Sequence, residues 1–337
     1  MRVLTLALHP SIDRVVRIRQ LKPGATFDAE LLMTVPAGKG TNTARTLSCV
    51  WPKPRQIISV AWIGEEERDW YAARLAELSG IRAALCARPC FTRCAYTLLE
   101  TACAGRETHI KERMPPPSRA DEAEFLKFWR GLVRPGDIVA LCGSAPAGTS
   151  TRLLRRVFAV AREKGGGVCV ADSNGEALAT AGAAGLDGVK GNAAEIGAWL
   201  GLGQAFVGGK RAHCAALQKA FARQGAPRAI LITAGAGGAF LAVPGKLLRA
   251  RPPDLSGTGF RSANMGRMGK PQSATGCGDA ATAGWLWAML EGCRLEEALR
   301  RAVACGTAKL ASADPGALDP RYVMRLMCKM RAEAMPT

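Results

Sequence analysis

The sequence predicts an α/β protein in which a mostly parallel, doubly wound sheet lies between two layers of helices. Short aliphatic runs alternate with amphipathic segments of helical length, and most runs end in glycine or polar residues. Two further segments have the period-two pattern of β-hairpins. With 337 residues, 48% of them hydrophobic, the chain has enough apolar material for a large core, which argues against intrinsic disorder.

Six runs have the continuous apolar character of buried parallel strands. They are VLTLAL (3–8), RQIISVAWIG (55–64), DIVALCGS (137–144), GVCVADS (167–173), DGVKGN (187–192) and AILITAG (229–235). Helix-period segments lie between and after these runs. They are TNTARTLSCV (41–50), DEAEFLKFWRGLV (121–133), STRLLRRVFAVAREK (150–164), RAHCAALQKAFARQG (211–225), the apolar run after Asp279, and RLEEALRRAVACGTAKLA (294–311).

Two regions, residues 12–35 and about 91–113, interrupt this alternation. Each alternates polar and apolar residues around a glycine, which predicts a hairpin with one solvated face. Together the hairpins would form a small lid sheet over the main sheet, within one domain spanning residues 1–337. The basic, glycine-rich segment 252–272 is expected to be a mobile loop.

The formal net charge of +18 is compatible with nucleic acid, a membrane surface or small anionic ligands. Basic residues recur at intervals along helical segments such as 152–164, a pattern typical of solvated faces, and no zinc-finger or aromatic RNA-binding pattern accompanies them. The sequence has no apolar run of membrane-spanning length. We therefore expect a soluble cytoplasmic protein without a membrane or nucleic-acid partner. Its 12 cysteines are expected to be free thiols.

The segment QSATGCGDAATAGWLWAML (272–290) places Asp279 at the start of an otherwise apolar helix. A turn formed by Gly276, Cys277 and Gly278 would point its amides outward as an anion site. Asp279 beside that site could accept a proton from a hydroxyl that attacks a phosphorus atom, or it could be only a helix cap. The helix terminus is expected to keep Asp279 ionised, as a weak base.

Two nucleotide-binding motifs are matched only in part. GCGDAA fits the dinucleotide pattern G-x-G-x-x-A, but a glycine-rich loop precedes it where that pattern needs a strand. PAGKGTN lacks the GK[ST] of a P-loop. Small residues around Lys39 at a helix start are nevertheless suited to an anion.

Eight short motifs occur in a fixed order along the chain. They are LHPSIDRVV (8–16), AGKGTNTAR (37–45), TR (92–93), LCGSAPAG (141–148), ADSNGEAL (171–178), VKGNAAEI (189–196), ILITAGAGGAFLAV (230–243) and TGCGDAATAG (275–284). With these motifs the sequence resembles the PfkB-type carbohydrate kinases, which have a ribokinase-like fold. Within that family it resembles the branch of 1-phosphofructokinases and tagatose-6-phosphate kinases. The resemblance extends from about residue 3 to 330.

The resemblance implies a role for each matched position. A sugar-phosphate site is implied for Asp13, Gly38, Lys39, Gly40, Asn42, Arg93 and Ser144. Among these, Asp13 would accept sugar hydroxyls, and Arg93 would bind the substrate phosphate through its guanidinium fork. A nucleotide site is implied for Lys190, Asn192, Glu195, Thr233, Gly235 and Gly238. Glu195 would contact Mg²⁺ through water, although Asn-x-x-Glu is also an ordinary helix start. Gly276, Cys277 and Gly278 would form the anion site, and Asp279 would be the catalytic base.

The implied activity is ATP- and Mg²⁺-dependent phosphorylation of a ketohexose phosphate, fructose 1-phosphate in the first instance and tagatose 6-phosphate as the alternative. Departures from the family pattern at His9, Ala37, Gly191 and Ala280 leave the sugar specificity open. They also keep a second class open, a non-catalytic protein of this family that binds sugar phosphates or nucleic acid. The resemblance further suggests a homodimer through the lid sheet.

Overall fold

The computed structural model describes residues 1–102, 106–253 and 273–336. The predicted loop at 252–272 therefore lies almost entirely outside the described residues, and its expected mobility stays a prediction.

Two β-sheets are formed by strands from along the whole chain. The strands are β1 (Val3–Ala7), β2 (Ser11–Ile18), β3 (Glu30–Ala37), β4 (Ile57–Gly64), β5 (Arg82–Arg88), β6 (Cys94–Glu100), β7 (Glu107–Lys111), β8 (Asp137–Cys142), β9 (Gly166–Asp172), β10 (Gly188–Asn192), β11 (Ile230–Thr233), β12 (Ala239–Val243), β13 (Lys246–Ala250) and β14 (Ala332–Met335). The helices are α1 (Lys39–Val50), α2 (Arg68–Ser79), α3 (Arg119–Leu132), α4 (Thr151–Gly165), α5 (Gly175–Ala181), α6 (Ala193–Trp199), α7 (Arg211–Phe221), α8 (Cys277–Leu290), α9 (Leu295–Lys309) and α10 (Pro320–Lys329).

The main sheet has ten strands in the order β14-β13-β12-β11-β10-β9-β8-β1-β4-β5. Strands from β11 to β5 in this order pair in parallel, and β12, β13 and β14 continue the sheet antiparallel. All six predicted strands lie in this sheet. The chain leaves β1 toward β4 on one side and reaches β8 on the other, so the strand order reverses at β1, the position where such sheets bind ligands beyond their carboxyl ends.

Successive side chains of a strand point to opposite faces, and each face of this sheet is covered by helices. Val3 belongs to a core with apolar residues of α1, α8, α9 and α10. Leu4, the next residue, belongs to a second core with apolar residues of α3, α4 and α7. The predicted three-layer arrangement is confirmed. Within the described ranges, no helix is long and apolar enough to cross a membrane.

Strands β5, β12, β13 and β14 and helices α2, α5 and α6 were not predicted from the sequence. Helix α2 buries only Tyr71 and Leu75, so its apolar face is too narrow to show a helical period. Strand β5 is a sheet edge with arginine at both ends and mostly half-buried alanine between them.

The second sheet has four strands in the order β3-β2-β6-β7. Strands β2 and β3 form one antiparallel hairpin, β6 and β7 form the other, and the parallel pairing of β2 with β6 joins them. The two predicted hairpins and their union in one small sheet are confirmed. Because β2 begins at Ser11, directly after β1, this lid sheet leaves the main sheet at its carboxyl edge.

Candidate active site

A cleft of about 450 Å³ lies between the lid sheet and the carboxyl ends of the main-sheet strands. It brings together most of the predicted site residues. These are Asp13, Gly38, Lys39, Asn42, Arg93, Lys190, Asn192, Glu195, Thr233, Gly276, Gly278 and Asp279. The cleft also has lining residues that the sequence analysis did not name. They are Ser11, Ala95, Tyr96, Thr97, His109, Lys111 and Thr275.

Residues 276–278, hereafter the glycine turn, lead into helix α8. Gly276 is the N-cap residue with φ 86°, and a Cβ atom there would lie 2.2 Å from the carbonyl oxygen of Pro315, so only glycine fits. A Cβ atom at Gly278 would lie 3.0 Å from the Lys190 Nζ atom. The first-turn amides of a helix have no intrahelical acceptor and can receive an anion. In this turn the Cys277 amide donates to the Ala274 carbonyl oxygen at 3.3 Å and is engaged there.

Asp279 lies in the first turn of α8, on the cleft surface, and is only 6% exposed. The Asn42 side-chain amide donates to its Oδ2 atom at 2.9 Å, which connects α8 to α1. Burial, followed by the charge of Asp172, raises the pKa of Asp279 to about 6, against the opposing effects of Lys39 and Lys190. The sequence-based expectation that Asp279 is ionised agrees with this value, but the expectation that it is a weak base was wrong, because its pKa is raised. The carboxylate is a stronger base than an ordinary aspartate and is still mostly ionised at pH 7.

Asp172, at the carboxyl end of β9, is fully buried and connects several site residues. It accepts hydrogen bonds from the Nζ atoms of Lys190 at 2.9 Å and Lys39 at 3.2 Å and from the Thr282 hydroxyl at 2.6 Å. Burial alone would raise the pKa of Asp172, but the two ammonium groups and the hydroxyl lower it below the usual value. In turn Asp172 raises the pKa of Lys39, which stays charged. Asp172 thus fixes two cations beside the glycine turn.

Asp172 lies within the motif ADSNGEAL but is not among the site residues predicted from the sequence. The signal was present in GVCVADS, because an aspartate ends a run predicted to be a buried parallel strand. The carboxyl ends of such strands meet at one edge of the sheet, where ligands bind.

The lid end of the cleft holds a second group of polar side chains. Asp13 is buried and accepts a hydrogen bond from the Ser11 hydroxyl at 2.6 Å. Burial raises the pKa of Asp13, against the opposing hydrogen bond and the charge of Arg93. Arg93 donates to the carbonyl oxygens of His9 and Pro10, each at 3.2 Å, which orients its guanidinium group in the cleft wall. This end therefore offers both a carboxylate and a fixed guanidinium group to a ligand.

Asn192 and Glu195 line the opposite end, at the junction of β10 and α6. The Asn192 Oδ1 atom accepts the Glu195 amide at 2.8 Å, and the Glu195 carboxylate accepts the Asn192 amide at 2.7 Å. They form the helix capping box that the sequence pattern also allows, and they line the cleft as well. In the described ranges, no group of three His, Cys, Asp or Glu side chains could hold a metal ion. One carboxylate such as Glu195 fits a Mg²⁺ ion that arrives with nucleotide phosphates and keeps its waters.

Five predicted residues do not line the cleft: Gly40, Ser144, Gly235, Gly238 and Cys277. At Gly40 a Cβ atom would lie 2.7 Å from the Leu6 carbonyl carbon, so this glycine lets α1 approach β1. Ser144 contacts the ring of His9 at 3.5 Å behind the cleft wall. Burial raises the pKa of the Cys277 thiol to about 11. The ligand contacts implied for these five residues stay predictions.

The sequence model of the pfkB family of carbohydrate kinases matches residues 12–320, most of the chain. The chain belongs to this family. It is 28% identical to the 1-phosphofructokinase of Rhodobacter capsulatus, over 100% of this chain and 99% of that enzyme. It is 27% identical to the 1-phosphofructokinase of Bacillus subtilis, over 98% of each chain. This member of the pfkB family is therefore a sugar kinase.

The fold agrees with this assignment. Phosphofructokinase-2 from Escherichia coli, in a crystal structure with substrates and products, superposes with a TM-score of 0.82 at 21% sequence identity. The match covers 98% of this chain and 99% of that chain. At this identity the likeness establishes the ribokinase-like pfkB fold, with its large, mostly parallel sheet and its smaller second sheet.

Proposed function

We propose that the protein transfers the γ-phosphoryl group of ATP, bound with Mg²⁺, to fructose 1-phosphate, giving fructose 1,6-bisphosphate in the cytoplasm. The observation that carries the proposal is the position of Asp279. Its buried carboxylate lies in the cleft beside the glycine turn, with its pKa raised to about 6. The 1-phosphofructokinase relatives, similar along nearly their whole length, support this substrate.

In the proposed mechanism Asp279 accepts the proton of the sugar's 6-hydroxyl as its oxygen attacks the γ-phosphorus. A base with a pKa near 6 is ionised at neutral pH and still has a useful affinity for the proton. The Asn42 amide, bonded to Oδ2, keeps the carboxylate oriented. Lys39, Lys190 and the Gly278 amide would stabilise the charge on the transferring phosphoryl group, and Mg²⁺ would neutralise further phosphate charge.

At the lid end, Arg93 and Lys111 would bind the phosphate already present on the sugar, and Asp13 would accept sugar hydroxyls. Gly38 supports this end because its φ of 103° and the nearby backbone of Pro10 exclude a side chain. At the other end, Thr233, Asn192 and Glu195 would lie along the nucleotide, with Gly235 and Gly238 behind them. The two anionic substrates would thus enter a cleft with several lysine and arginine side chains, which favours their association.

We also propose that one kinase domain spans the chain and that two copies pair through their lid sheets. Leu31 on β3 and Ile110 on β7 are large apolar side chains of this sheet that are 58% and 52% exposed. Exposed apolar residues on a small sheet are typical of a surface that another chain covers. Sedimentation of the wild type and of Leu31→Asp would test the pairing, since a variant that stays dimeric contradicts it.

The proposed activity is tested by mixing the purified protein with ATP, Mg²⁺ and single sugar phosphates while ADP release is followed. Fructose 1-phosphate should give the largest kcat/KM, and phosphorus NMR should place the new phosphate on the 6-hydroxyl. A preference for tagatose 6-phosphate would replace the proposed substrate but keep the mechanism. Binding of sugar phosphate without turnover of any sugar would refute the kinase proposal in favour of a non-catalytic binding protein.

A further inference from the structure

Lys309, the last residue of α9, is a charged side chain that the proposed mechanism does not use. It is 0% exposed and is among the largest fully buried side chains of the described residues. Lysine almost never loses contact with solvent unless its charge is compensated, because desolvating an ammonium group costs several kcal/mol or more. The position of Lys309 in the fold should therefore show what the charge does.

The ammonium group of Lys309 lies behind the glycine turn. One turn earlier on α9, a Cβ atom at Gly306 would lie 3.2 Å from the carbonyl oxygen of Cys277, so this part of α9 packs directly on the turn. On the other side, the backbone of Pro315 packs against Gly276. The Lys309 Nζ atom donates to the carbonyl oxygen of Ser312 at 2.8 Å. It thus holds the segment 310–316 on which the turn is seated.

A second buried cation holds the same segment. Arg45 on α1 is 2% exposed and forms an ion pair of 2.6 Å with Asp314. Because Arg45 already occupies one Asp314 oxygen and the Gly316 amide donates to the other at 2.9 Å, the Lys309 charge is not needed to neutralise that carboxylate. Burial lowers the pKa of Lys309, and Cys277, Asp314, Glu107 and Asp279 oppose that shift. Of these, Cys277, Glu107 and Asp279 lie on the side of the turn.

A lysine at a helix C-terminus often serves only to cap the last carbonyl groups. The ammonium group of such a lysine normally stays in contact with water. Complete burial beside the proposed anion-binding amides distinguishes Lys309 from that case. A positive charge in a low-dielectric interior attracts a neighbouring anion much more strongly than the same charge in water.

We propose that Lys309 is a positioning residue whose ammonium charge lies behind the glycine turn and strengthens the hold of this turn on the transferring phosphoryl group. Its ammonium group stabilises the glycine turn from the interior, through the segment 310–316. The inference rests on the proposed kinase function and adds a residue that the family motifs of the sequence analysis did not include.

The test compares Lys309→Met, which keeps much of the side-chain volume but removes the charge, with the wild type. We expect kcat to fall roughly 10- to 100-fold, because an electrostatic contact to the transition state is weakened, while KM for the sugar phosphate stays within about twofold. Lys246→Met is the matched control, since Lys246 pairs with Glu296 outside the cleft. An unchanged kcat in a folded Lys309→Met protein would refute the proposal.

Charge rescue separates this role from simple packing. In Lys309→Ala, ammonium or potassium chloride should restore part of the lost turnover, and tetramethylammonium chloride of equal ionic strength should not, because that ion is too large for the vacated space. Wild-type turnover should be the same in all three salts. A wild type that needs added ammonium or potassium would overturn the inference even if neither variant folds.

One further measurement does not depend on catalysis. The affinity for ATP with Mg²⁺, measured by calorimetry, should fall about fivefold or more in Lys309→Met and stay unchanged in Lys246→Met. If the wild type turns over no sugar phosphate, the proposed function fails and this measurement still decides the role of Lys309. Equal affinity in the wild type and Lys309→Met would then refute it.

Discussion

Asp172 and Asp279 are two buried carboxylates of the same site, and their pKa values move in opposite directions. The pKa of Asp172, at the end of β9, lies below the usual aspartate value because Lys190, Lys39 and Thr282 outweigh the effect of burial. The pKa of Asp279, at the start of α8, rises to about 6 because burial and the charge of Asp172 outweigh the charges of the same two lysines. The difference lies in contact, since both lysines donate hydrogen bonds to Asp172 and the Asp279 side chain receives one from the neutral amide of Asn42.

This comparison shows how one site can contain a fixed anion and a base. Two carboxylates share a charged neighbourhood, and the one with direct cationic partners remains ionised while the other gains affinity for a proton. The permanently charged Asp172 holds the lysines in place and, by repulsion, helps to raise the pKa of Asp279.

Asp279→Asn should have the largest effect, because it removes the proposed base and keeps the shape of the side chain. We expect kcat to fall by about 10³-fold or more, with ATP binding by calorimetry nearly unchanged. The free energy of unfolding of the variant serves as the control for correct folding. The pKa of Asp279 is raised from 3.8 to about 6, so its ionisation destabilises the fold progressively between about pH 4 and pH 6 and fully above pH 6. The variant should therefore be more stable than the wild type at pH 7 by about 3 kcal/mol. A variant that keeps most of its rate would exclude Asp279 as the base.

Asp172→Asn should have the next largest effect. It leaves Lys190 and Lys39 without their shared carboxylate, and removing one partner of a buried ion pair costs about 3 to 5 kcal/mol. A urea titration should show this loss, and turnover should fall as the lysines lose their positions. The acid limb of the pH–rate profile should also move below pH 6, since burial, the larger cause of the raised Asp279 pKa, remains but the added repulsion from Asp172 has gone. An unmoved acid limb would show that the two carboxylates are not coupled.

The wild-type pH–rate profile tests the same coupling without a substitution. As the pH falls through about 6, Asp279 takes up a proton and can no longer accept one from the sugar, so kcat/KM should decrease about tenfold per pH unit below that value. The profile should be measured with a sugar phosphate and with a phosphonate analogue, because the second ionisation of a phosphate also lies near 6. A limb that follows the substrate's own pKa would contradict the assignment to Asp279.

Thr282→Val should have the smallest effect. The Thr282 hydroxyl donates to Asp172 at 2.6 Å and lies one helical turn after Gly278 on α8. Its loss removes one of several hydrogen bonds to a charged group, which should lower the free energy of unfolding by about 1.5 to 3 kcal/mol and turnover by about twofold to fivefold. Thr282→Ser, which keeps the hydroxyl, is the matched control. If both variants behave alike, the hydroxyl does not contribute to holding Asp172.

The sequence predicted the fold where its signals are local. Buried parallel strands are continuous apolar runs, and lid hairpins alternate in period two, so both could be identified directly. It did not predict β5 and β14, because edge strands have little buried surface and their residues resemble a loop. Helix α2 was missed for a related reason, since only Tyr71 and Leu75 of its face are buried.

The sequence predicted which residues line the site better than how they interact. Most motif residues line one cleft because motifs mark the ends of strands and helices, which meet at one edge. Two of the partners of Asp172, Lys39 and Thr282, lie more than 100 positions away in the sequence, and no local pattern shows these contacts or the burial of Lys309. The direction of the Asp279 pKa shift was mispredicted for the same reason, since a helix start suggests a depressed value and only the folded surroundings raise it.

The close packing of Gly276 against the backbone of Pro315 has a consequence for biosynthesis. The backbone of residue 315 must be in place before this turn can pack against it. In a nascent polypeptide whose residue 315 is still inside the ribosomal tunnel, the glycine turn lacks this support. A product terminated before residue 315 would lack it permanently.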